Sequence, residues 1–413
     1  MTSRGSASTT FPPLAAAERI QSERVLAAVR RRLAAMGGWL PFSDYQNLLL
    51  YAPGLGYYSA GAAKFGAAGD FVTAPEISPL YGCAVARWIA PLLAASGPRA
   101  EILELGAGSG ALAGHLLAEL TALGCAPFSY AILEVSADLR ARQAEAMAGL
   151  PAPVATPVRW LERLPENFTG VILANEVLDA LPCERFVQGP AGLLARGVGW
   201  GAAGEPVDAL RDPQLTDDFS LPGAGSLRAS YVALAQRLHS NNCDLPPGYA
   251  GEFIPSLTAF IQSLSTALAR GAVVLIDYGL PRRQLYLPER VAGSLRCIRR
   301  HHAHEDPYRD PGLTDITCWV DFTHVAEAAA QTGLQVRSFA TQMAWLLDAG
   351  IETLLAQELA AASVEAHRHR LVQGVKTLLL PGEMGEAVKM LCLTRGLADG
   401  LGAVKTQDLR ASL

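Results

Sequence analysis

Ala100-Glu101-Ile102-Leu103-Glu104-Leu105-Gly106-Ala107-Gly108-Ser109-Gly110-Ala111-Leu112-Ala113 is the stretch from which the rest of the chain can be read. Ile102, Leu103 and Leu105 make the apolar run of a buried parallel strand. Gly106, Gly108 and Gly110 permit a tight turn and close backbone approach to a ligand. Helical spacing resumes at Leu112, with Leu116, Leu117 and Leu120 on one face. A helix that begins after such a turn presents unpaired N–H groups and the positive end of its dipole. Strand, glycine turn and helix in this order predict an α/β chain with a doubly wound, Rossmann-like sheet.

Two cofactor classes fit the turn. Gly106, Gly108 and Ala111 satisfy the Gly-x-Gly-x-x-Ala dinucleotide fingerprint. Glu104, Gly106, Gly108 and Gly110 have the Glu-x-Gly-x-Gly-x-Gly form usual in S-adenosylmethionine-dependent methyltransferases. Glu104 separates the two. A carboxylate two residues before the first glycine repels a pyrophosphate, but it can hold the ammonium of a methionine moiety, directly or through water.

Composition narrows the class. The chain has 413 residues, half of them hydrophobic, and a mean hydropathy of +0.20. That is enough for more than one layer of core. No apolar run reaches the ~18–20 residues that span a bilayer. The net charge of −5 opposes a nucleic-acid partner held by bulk electrostatics. Cys83, Cys125, Cys183, Cys243, Cys297, Cys318 and Cys392 are odd in number and lack a Cys-x-x-Cys pair. They fit free thiols in a reducing compartment. The first residues lack the apolar core of a secretory leader. Arg24, Arg30, Arg31 and Arg32 lie in an Ala-rich stretch like that of a transit peptide, but Glu18 and Glu23 favour an ordinary helix.

Upstream of the glycine turn, residues 1–13 are rich in Ser, Thr and Pro and are predicted to be mobile. Helices are predicted over 14–36, 42–50 and 79–95. Between the last two lies a dense loop, 56–78, in which aromatics, glycines and small polar residues follow no period.

Downstream, Ser129 to Ser136 read as the second strand. Glu134 at its end can accept both hydroxyls of a ribose, the competing reading being a solvated acid. Residues 138–147 form a helix. Val171 to Leu173 read as the fourth strand, followed by Asn175, Glu176 and Asp179, where open α/β sheets bind ligands. Helix capping by Asn175 is the competing role. Residues 185–250 read as an insertion that leaves the sheet, with a helix near 226–239. A helix over 254–269 and a fifth strand over 272–279 follow. Residues 286–322 form a second dense loop. Its His301, His302, His304 and Glu305 are too close in sequence to converge easily on one metal ion, so no metal is expected. A helix over 323–332, a strand over 334–341 and helices over 346–398 complete the chain.

These motifs together resemble the MidA-like class I methyltransferases. The resemblance covers roughly residues 40–345. It rests on Gly56-Tyr57-Tyr58, Gly69-Asp70-Phe71-Val72-Thr73-Ala74-Pro75-Glu76-Ile77-Ser78, Leu103 to Gly108, Asn175-Glu176-Val177-Leu178-Asp179-Ala180-Leu181-Pro182, Ile276-Asp277-Tyr278-Gly279 and Asp315-Ile316-Thr317-Cys318-Trp319-Val320-Asp321-Phe322. Loops match as well as core. Mitochondrial members of this family assist assembly of respiratory complex I by methylating an arginine of a partner subunit. Where those members carry Pro and Arg in the glycine turn and His-Glu after the fourth strand, this chain has Gly-Ala-Gly-Ser-Gly and Asn175-Glu176.

The resemblance implies an S-adenosylmethionine-dependent methyltransferase acting on a protein arginine, in the cytoplasm of a bacterium or the mitochondrial matrix of a eukaryote. It implies a class I sheet in residues 79–345 (insertion about 185–250), an N-terminal helical segment with a pocket-covering loop over 1–78, and a C-terminal helical lobe over 346–413. The expected cofactor contacts are Glu104, Gly106, Ala107, Gly108, Gly110, Glu134, Val135, Asn175 and Glu176. Methyl transfer from a sulfonium needs orientation more than proton chemistry. An arginine acceptor adds a need for carboxylates, which pair bidentately with the planar guanidinium. Glu176 and Asp179 are the catalytic candidates, one helical turn apart and so on one face. Both dense loops are expected to fold over the C-terminal edge of the sheet. A non-catalytic S-adenosylmethionine-binding assembly factor and a nicotinamide-dependent oxidoreductase are the alternatives.

Overall fold

The computed structural model describes residues 11–59, 73–149, 156–216 and 219–413. The start of the chain, residues 1–10, and the middle of the first dense loop, residues 60–72, lie outside the described residues. The central sheet contains β1 (Glu101–Leu105), β2 (Tyr130–Leu133), β3 (Val158–Leu161), β4 (Phe168–Asn175), β5 (Leu268–Leu280), β6 (Gln335–Thr341) and β7 (Val388–Arg395). Their order is β6-β7-β5-β4-β1-β2-β3. β3, β2, β1, β4 and β5 run parallel, and β7 is antiparallel to both its neighbours. The strand order reverses between β1 and β4, which opens a crevice at the carboxyl ends of these strands.

Helices cover both faces: α1 (Ala16–Ala35), α2 (Phe42–Tyr51), α3 (Pro79–Ser96), α4 (Ala111–Ala122), α5 (Ala137–Ala148), α6 (Leu227–Ser240), α7 (Leu257–Ala267), α8 (Phe322–Gln331), α9 (Gln342–Asp348), α10 (Ile351–Ala361) and α11 (Glu365–Leu379). Alternation along the strands loads the two layers. Ile102, Ile132, Val171, Leu173, Val274 and Ile276 join the core under α3, α4 and α9 to α11. Leu103, Leu105, Ile172, Val273 and Leu275 join the core under α2, α7 and α8. Burial on both faces explains why these strands read as continuous apolar runs. The helix starts follow local chemistry. Ser136 accepts the Leu139 N–H at α5, and Asp321 accepts the His324 N–H at α8.

Residues 184–253 build a second, four-stranded antiparallel sheet with α6 against it. Its own core contains Phe186, Tyr231, Tyr249 and Phe253.

Two sequence expectations need correction. Residues 346–398 are not helical throughout, because Val388–Arg395 is β7, inserted between β5 and β6. Its apolar run is buried on both faces, and periodicity cannot tell such a run from a buried helix. The second dense loop contains short strands. Arg296–Arg299 pairs with His302–His304 and Asp315–Thr317, and Val320–Asp321 extends the carboxyl end of β5 through Gly279 and Leu280. Pieces of two to four residues are too short to show a period. In this sheet His302 and His304 pack against Phe11, with ring centroids 5.6 and 5.2 Å away.

Candidate active site

The glycine turn leaves β1 at the crevice. Gly106, Gly108 and Gly110 all adopt left-handed φ, at 62°, 54° and 85°, so side chains there would strain the turn. Gly110 caps α4, and its N–H closes the turn on Ala107 O at 2.8 Å. Glu104, on the same face as Ile102, is only 2 % exposed. Tyr130 Oη donates to its Oε2 at 2.7 Å. Burial nevertheless pushes its carboxyl up to about 7. Among the described residues it has no Lys or Arg partner, so a cationic ligand group would restore its charge.

Glu134 ends β2. Its Oε1 accepts the Ser136 N–H at 2.9 Å, and its Oε2 accepts Gln143 Nε2 at 3.2 Å. Gln143 is fully buried on α5 and also donates to Gly108 O at 3.0 Å. Its own Oε1 accepts Trp160 Nε1 at 3.0 Å. Gln143 therefore ties the glycine turn to Glu134. Beside this pair Val135 is 76 % exposed, an apolar surface at the mouth of the crevice.

The carboxyl ends of β4 and β5 gather the acids. Asn175 is the last residue of β4. Its Oδ1 accepts Tyr81 Oη, and its Nδ2 donates to Glu176 Oε1 at 3.3 Å. Glu176 has left-handed φ of 54°, rare for a residue with a side chain. Its N–H bonds Ile276 O at 2.8 Å, and its Oε1 accepts the Ala74 N–H at 3.4 Å. Asp277 on β5 is fully buried. Its Oδ2 takes the N–H groups of Val177, Leu178 and Asp179 at 3.0, 2.8 and 3.3 Å, and its Oδ1 takes that of Tyr278 at 2.8 Å. Residues 176–180 are therefore a turn and not the helix expected from sequence. Asn175 has no helix to cap here. Glu176 and Asp179 still come together, because Asp277 curls the loop back.

Burial raises all three carboxyls. Glu176 is pushed up to about 7, with the Asp277 charge as the second cause. Asp277 reaches about 7 against the pull of four backbone N–H groups. Asp179 lies well above the usual carboxylate range through burial and the charges of Asp277, Glu176 and Asp315. Among the described residues none of the three has a Lys or Arg partner. Asp315, from the second dense loop, accepts Tyr58 Oη at 3.0 Å. Tyr58 stacks on Tyr51 at 5.4 Å between centroids, and Tyr51 Oη donates to Ala180 O at 2.8 Å. Residues from both dense loops thus stand at this sheet edge: Tyr57 and Tyr58 from the first, and Asp315 to Asp321 from the second.

Sequence reasoning did not assign roles to Gln143, Asp277, Asp315, Tyr51 or Tyr81. Asp277 and Asp315 were visible only as polar residues within quoted motifs. Gln143 carries no signal, since nothing in α5 distinguishes it from a surface glutamine.

A site built on a glycine turn, with acids at three strand ends, permits comparison with known proteins. Residues 84–340 match the family described as "Putative S-adenosyl-L-methionine-dependent methyltransferase". The chain belongs to this family. A Burkholderia thailandensis structure bound to S-adenosyl-homocysteine is 39 % identical, with TM-score 0.88, covering 97 % of this chain and 100 % of that one. The mouse protein arginine methyltransferase NDUFAF7, mitochondrial, is 28 % identical over 387 residues, covering 86 % of this chain and 81 % of its own. The human protein of the same name is 28 % identical over 381 residues, covering 86 % and 80 %. The enzyme is a methyltransferase with S-adenosylmethionine as its cofactor, which removes the nicotinamide alternative. No helix among the described residues is long and apolar enough to cross a membrane.

Proposed function

We propose that the enzyme methylates an arginine side chain of a partner protein, with a respiratory complex I subunit as the acceptor that its family resemblance indicates. The observation that carries this reading is the group Glu176, Asp179 and Asp277, buried together at the ends of β4 and β5 without a cation among the described residues. Carboxyls raised by burial and by one another gain most from a planar cation that can bond several of them at once. The relatives named protein arginine methyltransferases support the same acceptor.

In this reading the cofactor is held by Glu104, by the turn at Gly106, Ala107, Gly108 and Gly110, and by Glu134 and Val135. Glu104 takes the ammonium, Glu134 the ribose hydroxyls, and the exposed Val135 one face of the base. Asn175 and Glu176 border the cofactor. The bound cofactor supplies an electrophilic methyl group on its sulfonium. Glu176 and Asp179 hold the guanidinium and orient the attacking nitrogen. That nitrogen sheds one proton on methylation, and a carboxylate near 7 is matched to accept it at Glu176 Oε. Tyr51, Tyr58 and Asp315 wall the site and keep water out. The relatives named mitochondrial support action in the mitochondrial matrix for a eukaryotic source, and for a bacterial source the same reading puts the enzyme in the cytoplasm.

The test is transfer of labelled methyl from S-adenosylmethionine to candidate partner proteins, followed by acid hydrolysis. Label recovered as methylarginine supports the reading. Label found only on lysine, hydroxyl or carbon acceptors contradicts it.

A further inference from the structure

A cleft of about 270 Å³ opens where α6 of the insertion meets α7 and α8. It shares no lining residue with the carboxylate group or the glycine turn. Arg237 and Gln236 face it from α6, Thr258 from α7, His324 and Gln331 from α8, and Arg282 from the segment after β5. Its volume sits near the small end of ligand cavities, about 300–1,000 Å³.

Two arginines and two acids meet at this cleft, and both acids bond Arg282. Arg282 is fully buried and doubly matched. Its Nε donates to Asp321 Oδ2 at 2.8 Å, and its Nη1 and Nη2 donate to the two Glu327 oxygens at 2.7 and 2.6 Å. Both acids near the cleft are thereby engaged. His324 Nε2 shares a hydrogen bond with Thr258 Oγ1 at 2.8 Å. Burial holds its imidazole well below its usual pKa, so the ring is neutral at pH 7. Arg237 remains. Its buried Nε has no hydrogen-bond partner among the described residues. Burial lowers its pKa, and the neighbouring Arg282 works in the same direction, against Tyr286, Asp321 and Glu327.

A buried guanidinium Nε–H without a partner is costly, and an oxygen ligand that accepts from it offsets that cost. We infer that this cleft binds a small oxyanion, a carboxylate or a phosphate group, seated on Arg237. The planar fork of arginine suits both anions, and the amide side chains of Gln236 and Gln331 add donors beside it. The site is separate from methyl transfer and does not depend on the arginine acceptor.

The experiment is isothermal titration of the full chain in phosphate-free buffer at constant ionic strength. Inorganic phosphate and succinate are the two probes, and sodium chloride is the control. Saturable one-to-one binding of phosphate or succinate is expected, and the stronger probe identifies the anion class. Arg237→Met should weaken that binding at least tenfold, about 1.4 kcal/mol. Because it removes a buried donor without a partner, it should melt no lower than the parent in anion-free buffer. Gln331→Glu places a carboxylate on the wall and should weaken the same binding by a similar factor. S-adenosylmethionine affinity should be unchanged in both variants. Failure of both probes to bind the parent chain by about 10 mM, or binding unaltered in both variants, overturns the inference.

Discussion

Asp277 bonds the backbone of Asp179 while opposing its charge. The Asp277 Oδ2 accepts the Asp179 N–H at 3.3 Å, and after burial itself the Asp277 charge is the main cause of the raised Asp179 carboxyl. The same oxygen holds Val177 and Leu178, so one side chain on β5 fixes the loop that carries both catalytic candidates.

Asp277→Ala removes all of these acceptors at once. Stability should fall by roughly 1–3 kcal/mol. Methyl transfer should drop at least tenfold, with S-adenosylmethionine affinity nearly unchanged. Asp277→Asn keeps one acceptor oxygen and should recover part of the activity. Single-turnover rates beside cofactor titration check this. A uniform loss of both in Asp277→Asn would mean that the residue serves only folding.

Stability without cofactor should fall as pH rises. Glu104, Glu176 and Asp277 sit near 7 and Asp179 is also raised, whereas unfolded carboxyls titrate near 4. Between those values the folded chain binds protons that the unfolded chain has released, so the slope is negative. For the three groups near 7 the loss runs from about pH 4 to about pH 7, and Asp179 adds to it in the same direction. Calorimetry should give a lower melting temperature at pH 8 than at pH 6. Glu176→Gln should flatten the slope and stabilise the protein at pH 8 by roughly 1–3 kcal/mol. A melting temperature that climbs over this range would contradict the assignment.

Glu134→Ala should weaken S-adenosylmethionine by about 1.5–3 kcal/mol, the loss of charge-assisted hydrogen bonds. Gln143→Leu should also weaken it, by about 1 kcal/mol, because the glycine turn loses its tie to Glu134. Titration calorimetry on both variants separates the roles. Normal affinity in Glu134→Ala would leave that carboxylate as a support for Gln143 alone.

Four of the parallel strands were legible because burial on both faces writes itself as unbroken apolar runs, as in Val171 to Leu173 and Val273 to Ile276, whereas the half-exposed β3, with Arg159 in it, was not read. β7 carries the same kind of run, but it follows helices and was read as part of one helical stretch over 346–398. The glycine turn declared its position through Gly106, Gly108 and Gly110. Glu176 and Asp179 were found by their place after a strand. Their convergence was ascribed to a helical turn, when the real cause is Asp277, about a hundred residues away on β5. Long-range ties of this kind, like that of Tyr58 to Asp315, leave no local pattern.

The central claim is that the charge of Glu176, at the border of the cofactor, serves the acceptor. Glu176→Gln keeps the shape and the hydrogen bonds to Asn175 and Ala74 while removing the charge. Cofactor affinity and single-turnover methylation measured on this one variant decide the matter. Affinity within about threefold of the parent with a roughly hundredfold loss of transfer is the predicted result. Equal losses in both, or full transfer, would contradict it.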